Sequence, residues 1–381
     1  MISLLEFCRR AGIAPNHQKI ILQKYRHIDN YFQFNPGFYM QANHIGVRPE
    51  KHYHDIGIVQ SRIFHPRQLQ LYYPSARLYE EHGIWKVDYE EKTYYLAQFC
   101  NEYIYNKSTA SFLHDYVTII DNTAINCETV TLLTIGNYDI ASEMIQQLEQ
   151  TLQNTCVVIT YYEDPSPTFL HMIQSKFPNR LILKTLNLGS DIQPAMIAYC
   201  QIAKLISFNF VLKLHTKSSP TWRHDLISMF HRQDGIDSYI AQMKNPMMRV
   251  GMIGSKHHIE STRKQRSNLP FLRLMYHKPV ITPFIAGTIF LCKRYVFDQL
   301  LTREAVIRAA LFQPFYYNYR LFHGWSPVHA MEQMFGAEVT LCGERIGSGG
   351  HMLEGLKGVK RLRVPMRRMD VRYRLRRFNR K

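Results

Sequence analysis

The sequence predicts an α/β protein built on a mostly parallel sheet with flanking helices, with a less regular N-terminal extension and a basic C-terminal tail. Three observations predict it. From Thr129 onwards, short apolar runs alternate with helix-period segments joined by short connections. Residues 1–127 are rich in Tyr, His and Phe, with scattered prolines and no long periodic segment. Residues 357–381 carry 12 Lys or Arg against one acid, Asp370. The expected organisation is therefore an aromatic N-terminal region at 1–127, the α/β domain at 128–356 and a tail at 357–381.

In the N-terminal region, residues 76–102 set several aromatics among polar positions, which fits strands and irregular packing against the next domain equally well. His52, His54 and Asp55 match no zinc-ligand spacing and read as a solvated loop or a satisfied surface histidine. Cover for an active site and a partner-binding surface both suit residues 1–127. Regularity begins at residues 130–135, a β-branched and Leu-rich strand ended by Gly136. Ile140, Met144, Leu148 and Leu152 then recur at every fourth position, the mark of one amphipathic helix. Residues 156–160 form a second short strand. Pro167 opens a helix at its first position, with Phe169, Leu170, Ile173 and Phe177 on the buried face, and residues 180–186 are the third strand. A helix over about 193–206 and a strand at 210–214 complete a pattern that implies parallel pairing.

The second half is less regular. Residues 250–253 are a short strand ending at Gly254, and 283–290 an apolar segment leading into a helix near 296–302. Its central Gly287 marks either a bulge or a backbone that approaches a ligand closely. Residues 328–336 read as a helix stopped by Gly336, with Met331 and Phe335 on one face and Glu332 on the next. Residues 347–351 form a flexible loop that falls short of a phosphate-loop consensus.

Composition narrows the function classes. With 46% hydrophobic and 20% charged residues the chain is globular rather than disordered. The formal net charge is +17, but +11 of it belongs to residues 357–381, leaving the other 356 residues at only +6. The body lacks a basic recognition helix, a zinc finger or an RNA-binding aromatic motif, so nucleic acid is not an expected partner. Seven cysteines without a Cys-x-x-Cys pair suggest neither a disulfide framework nor a zinc site. The apolar run at the N-terminus is too short and wrongly flanked for a signal peptide, and the longest apolar stretch, 280–292, falls short of the ~20 residues that span a bilayer. A reduced, cytoplasmic protein is expected.

Ligands of parallel sheets bind beyond the carboxyl ends of the strands. There the third strand runs into Asn187-Leu-Gly189-Ser-Asp191-Ile-Gln-Pro194, which is either a loop with a helix cap at Asp191 or a site. The fourth runs into His215-Thr216-Lys217-Ser218-Ser219, then Trp222-Arg223, a cluster of donors suited to phosphate or sugar hydroxyls.

Those two segments, followed in order by Gly251-Met-Ile-Gly254, Ala286-Gly287-Thr288-Ile-Phe290 and His329-Ala-Met-Glu332, resemble the rhamnan synthesis protein F family over roughly residues 129–345. Where that family's first motif implies an arginine, this chain has Ser190. The resemblance implies a GT-A-like glycosyltransferase of bacterial envelope polysaccharide synthesis, whether of O-antigen, capsule or rhamnan. It implies a nucleotide sugar donor, dTDP-rhamnose in particular, and a polyprenyl-diphosphate-linked glycan acceptor at the inner face of the cytoplasmic membrane. In a GT-A layout the fourth strand ends in an Asp-x-Asp that holds Mg or Mn on the diphosphate. Here it ends in His215-Thr-Lys217, which argues against a divalent metal and makes Lys217 a direct counter-charge, with His215 or Ser218 donating hydrogen bonds. The resemblance makes Glu332 the catalytic base, with Asp191 in reserve. It places Asn187, Gly189, His215, Thr216, Lys217, Ser218, Trp222, Arg223, Gly287, Thr288 and His351 on the substrates. The tail, with Val371, Tyr373, Leu375 and Phe378 interleaved among arginines, then suits an anionic inner-membrane surface, a solvated basic end being the alternative. A non-catalytic or phosphotransferase relative would also account for the missing Asp-x-Asp.

Overall fold

The computed structural model describes residues 34–46, 48–53, 75–106, 117–185, 191–231, 236–263, 280–302 and 327–349, with isolated positions between them. Asn187, Gly189, His351 and the whole tail lie outside the described residues. Helix α1 (Pro36–Asn43) precedes an antiparallel meander of β1 (Arg77–Glu81), β2 (Ile84–Tyr89) and β3 (Lys92–Tyr95), which runs into α2 (Leu96–Cys100). Tyr73, Tyr89, Tyr94, Phe99 and Tyr103 meet one another here mostly edge to face, with Phe99 and Tyr103 stacked at 4.7 Å. These five aromatics are thus packing material, and Phe38, Val87 and Phe99 share one apolar core with the sheet that follows.

Among the described residues that sheet has eight strands. β4 (Val117–Asn122), β5 (Thr129–Ile135), β6 (Cys156–Tyr161), β7 (Arg180–Thr185) and β8 (Phe210–His215) come first, followed by β9 (Val250–Ser255). After β10 (Ile259–Ser261) and β11 (Pro283–Ile285), which pair with each other, β12 (Phe290–Lys293) and β13 (Arg345–Gly349) complete it in the order β13-β9-β12-β8-β5-β6-β7-β4. β4 pairs antiparallel with β7, so the sheet begins upstream of the residue-128 boundary. Its mostly exposed edge position leaves no alternating apolar signal in the sequence.

β5, β6 and β8 are buried along their whole length, as parallel strands covered on both faces must be. Alternate residues feed two cores. Val130, Leu132, Val158, Leu183 and Val211 face one, with α5 (Ile192–Leu205), α8 (Tyr295–Leu301) and α9 (Pro327–Leu341). Leu133, Ile135, Ile159, Ile182 and Leu214 face the other, with α3 (Tyr138–Gln147), α4 (Pro167–Lys176), α6 (Pro220–Ile227) and α7 (Asp237–Lys244). Successive strands step from β5 to β6 to β7, and β8 then returns to pair with the opposite side of β5. The crevice beyond the carboxyl ends of β5 and β8 is therefore a topological switch point. β12 lies antiparallel between β8 and β9.

Three expectations are corrected. Residues 347–349, expected in a flexible loop, are the end of β13 and pair with Ile253, Gly254 and Ser255 of β9. The helix read through Leu152 breaks at Leu148 (φ −107°, ψ 10°), and Glu149–Gln153 continue as a short second helix. The break keeps Leu148 and Leu152 in the same core while Thr151 donates to the Phe230 carbonyl, so the apolar period survives although the helix does not. Gly336 does not stop a helix either, since α9 continues to Leu341. A Cβ at 336 would lie 2.1 Å from the Pro283 carbonyl oxygen and 2.9 Å from Phe284 Cα, so this glycine lets α9 lie directly on the backbone of β11. Among the described residues no helix is long and apolar enough to cross a membrane.

Candidate functional site at the carboxyl end of the parallel strands

β8 reads Phe-Val-Leu-Lys-Leu-His, and a lysine within a wholly buried strand requires a partner. Lys213 Nζ lies 2.5 Å from Asp191 Oδ2 and donates to the Thr288 carbonyl at 3.1 Å. Asp191 does occupy the N-cap position of α5, but its side chain makes no capping bond. It also accepts from the Thr288 hydroxyl, and His215 Nδ1 stands 3.5 Å away. Burial opposes ionisation of Asp191, but the neighbouring His215 and Lys213, with hydrogen bonds from Lys213 and Thr288, hold its carboxyl well below the usual range. Burial lowers His215 to about 3 despite Asp191, leaving the imidazole neutral. Burial also lowers Lys213, opposed by the charge and hydrogen bond of Asp191, so each partner of this pair holds the other's charge against the cost of burial.

The turn between β11 and β12 brings in the second carboxylate. Gly287 has φ +90° and Thr288 φ +53°, the left-handed region that glycine tolerates and threonine occupies at a cost of order 1–3 kcal/mol. The bonds of Thr288 to Asp191 and Lys213 hold it there. Next to it, the Gly287 N–H donates to Glu332 Oε1 at 2.5 Å. Glu332 projects from α9 with part of its surface open, yet protein surrounds it closely. Burial raises its carboxyl to about 7, opposed by the Gly287 bond, assisted by the charge of Asp191 and opposed again by Lys217 and Lys213. A carboxyl titrating near neutrality can accept a proton at physiological pH.

Lys217 lies just past β8 with its Nζ 4.0 Å from the centroid of the Trp222 ring. Trp222 stacks on His258 at 5.5 Å, and its buried Nε1 has no hydrogen-bond partner among the described residues. Thr216 Oγ1 accepts the Gly136 N–H at 2.8 Å and so ties the end of β8 to the end of β5 across the switch point. Beside that tie opens a cleft of about 320 Å³ lined by Ile135, Gly136, Asn137, Asp139, Tyr162 and Glu163, among others.

Of the residues named from sequence, the structure gathers Asp191, His215, Lys217, Trp222, Gly287, Thr288 and Glu332 around one rim of the sheet. Thr216 lies on its β5 side, and Ser218 is exposed beyond it. Arg223, expected on substrate, is buried and turned inward: Nη1 donates to the Lys217 carbonyl at 2.7 Å and Nη2 to Glu143 Oε2 at 2.8 Å. Sequence reasoning missed Lys213, although a charge inside an apolar strand was the signal for it. It also missed the cleft, because the strand-end rule was applied to the third and fourth strands but not to Gly136 or Tyr162.

The donor set does not fit a divalent cation. Asp191 is already engaged by Lys213 and Thr288, and two lysines stand at the end of β8. Among the described residues no three His, Cys, Asp or Glu side chains converge into a metal-holding group. Comparison with models of known protein families and with curated proteins found no match.

Proposed function

We propose that the protein is a glycosyltransferase that moves a sugar, rhamnose from a dTDP-linked donor, onto a polyprenyl-diphosphate-linked glycan of the bacterial envelope. The observation that carries this reading is Glu332: a carboxyl raised to about 7 and held by the Gly287 N–H, on the same rim as the cationic end of β8. A GT-A-like layout agrees with a parallel half that comes first in the chain and a second half joined to it through antiparallel β12. The cleft at the switch point suits the nucleoside, because Asp139 and Glu163 accept from ribose hydroxyls and repel phosphate. The diphosphate then extends towards Lys217.

In this reaction, ionised Glu332 takes the proton of the acceptor hydroxyl as its oxygen attacks the anomeric carbon. The bond from that carbon to the diphosphate oxygen breaks, and the electron pair leaves with the nucleoside diphosphate. Lys217 stabilises the charge that develops there, the task that a metal ion performs in other sites. A single displacement of this kind inverts the anomeric centre.

The test is incubation with a panel of nucleotide sugars and a polyprenyl-linked acceptor, with and without chelator. Sugar transfer that survives chelator is expected. Failure of every donor to transfer, or a phosphorylated rather than glycosylated product, refutes the proposal.

A further inference from the structure

We infer that Trp222 and Arg223 are positioning residues that hold Lys217 ready for an anionic diphosphate without neutralising it. The inference rests on the diphosphate-binding role proposed above for Lys217. A lysine side chain is a point charge on a flexible stem, and a charge used to stabilise a leaving group is effective only when it is already in place.

Two separate attachments put it in place. The main chain is held by Arg223, whose Nη1 donates to the Lys217 carbonyl at 2.7 Å while Nη2 is braced by Glu143 on α3 at 2.8 Å. Arg223 is 7% exposed, so this clasp is an internal one. The ammonium is held by the indole face of Trp222 at 4.0 Å. His258 stacks on the same indole at 5.5 Å with the rings 25° apart. The His258 carbonyl in turn accepts the Ala286 N–H at 2.8 Å, one residue before the Gly287 N–H that holds Glu332.

The choice of partner matters. Among the described residues no carboxylate pairs with Lys217, in contrast to Lys213, whose charge Asp191 offsets. A carboxylate would fix an ammonium equally well but would cancel its field. An aromatic face orients the cation through its quadrupole and leaves the full charge available to an arriving anion.

The experiment measures binding of dTDP, UDP and GDP, and of the corresponding monophosphates, to the full chain by calorimetry. The wild type is expected to bind at least one of the diphosphates more tightly than its monophosphate. Trp222→Leu should weaken the diphosphate about tenfold while changing the monophosphate less than twofold, and Trp222→Phe, which keeps an aromatic face, should restore most of the loss. In a double-mutant cycle, Lys217→Met/Trp222→Leu should bind the diphosphate no more weakly than Lys217→Met alone. Additive losses, equal weakening of mono- and diphosphates, or unchanged binding in Trp222→Leu would overturn the inference and leave the proposed activity standing. Binding of none of the three diphosphates by the wild type would overturn that activity, and the inference with it.

Discussion

Replacing Glu332 by Gln separates the role proposed for this carboxyl in turnover from its effect on stability. Gln keeps the shape and an oxygen to accept the Gly287 N–H, but it cannot titrate. In the folded protein Glu332 is raised from 4.5 to about 7, with Asp191, Lys213 and Lys217 as the charged groups around it. The folded state therefore holds this proton more tightly than the unfolded chain does. Its favourable contribution is complete below the unfolded pKa and is lost as the pH rises through the folded one. At 1.36 kcal/mol per unit the full shift is worth about 3 kcal/mol, and about 2 kcal/mol once the open part of the carboxyl is screened by water. Urea unfolding should accordingly find Glu332→Gln more stable than wild type by about 2 kcal/mol at about pH 8.5, and by only a few tenths at about pH 4.5. Turnover should move the opposite way. Wild-type kcat/KM is expected to rise about tenfold per pH unit up to about 7 and then level off, while the Gln variant stays at least ~10²-fold lower with no such limb. A stability difference that is the same at both pH values, or a variant that keeps its turnover, would refute the argument.

Other outcomes are equally specific. Asp191→Asn leaves Lys213 buried without a counter-charge and should cost about 3–5 kcal/mol in denaturant unfolding. Asp191→Asn/Lys213→Met, which removes both charges, should recover most of that loss. Gly336→Ala places a methyl 2.1 Å from the Pro283 carbonyl oxygen and should destabilise by about 1–3 kcal/mol, read as a fall in the urea midpoint. On the proposal that the tail holds the protein to an anionic membrane surface, deleting residues 357–381 should abolish sedimentation with vesicles containing anionic lipid, since twelve basic side chains would contribute on the order of 1 kcal/mol each. Undiminished sedimentation would end the membrane reading.

The parallel half of the sheet was legible because each of its strands is short, apolar and followed by a helix-period segment. Strands 156–161 and 180–185 needed little more than the β-branched run after Cys156 and the Leu-Ile-Leu run after Arg180 to place them. β4 was not legible, since an exposed edge strand such as Val117–Asn122 has no buried face to impose alternation. Gly336 was misread for a different reason. Glycine in a helical pattern is both the commonest stop and the residue that permits close backbone approach, and only the position of β11 decides between them. At the site, the strand-end rule found His215 and Lys217, but the pairing of Lys213 with Asp191 joins residues 22 positions apart through the return of β8 to β5. The role of Arg223 likewise depends on Glu143, 80 residues away, which no local pattern relates to it.

The turn at Gly287 and Thr288 acts as a yoke. One residue holds Glu332 through its N–H, and the next holds Asp191 through its hydroxyl and Lys213 through its carbonyl. Glu332 and the buried ion pair are thus geared to one short piece of backbone, so a displacement of the turn shifts both at once. Sequence changes there will not tune the proton affinity of Glu332 and the electrostatics of β8 independently. Separate adjustment has to come from the far side of each contact, from α9 for Glu332 and from α5 for Asp191.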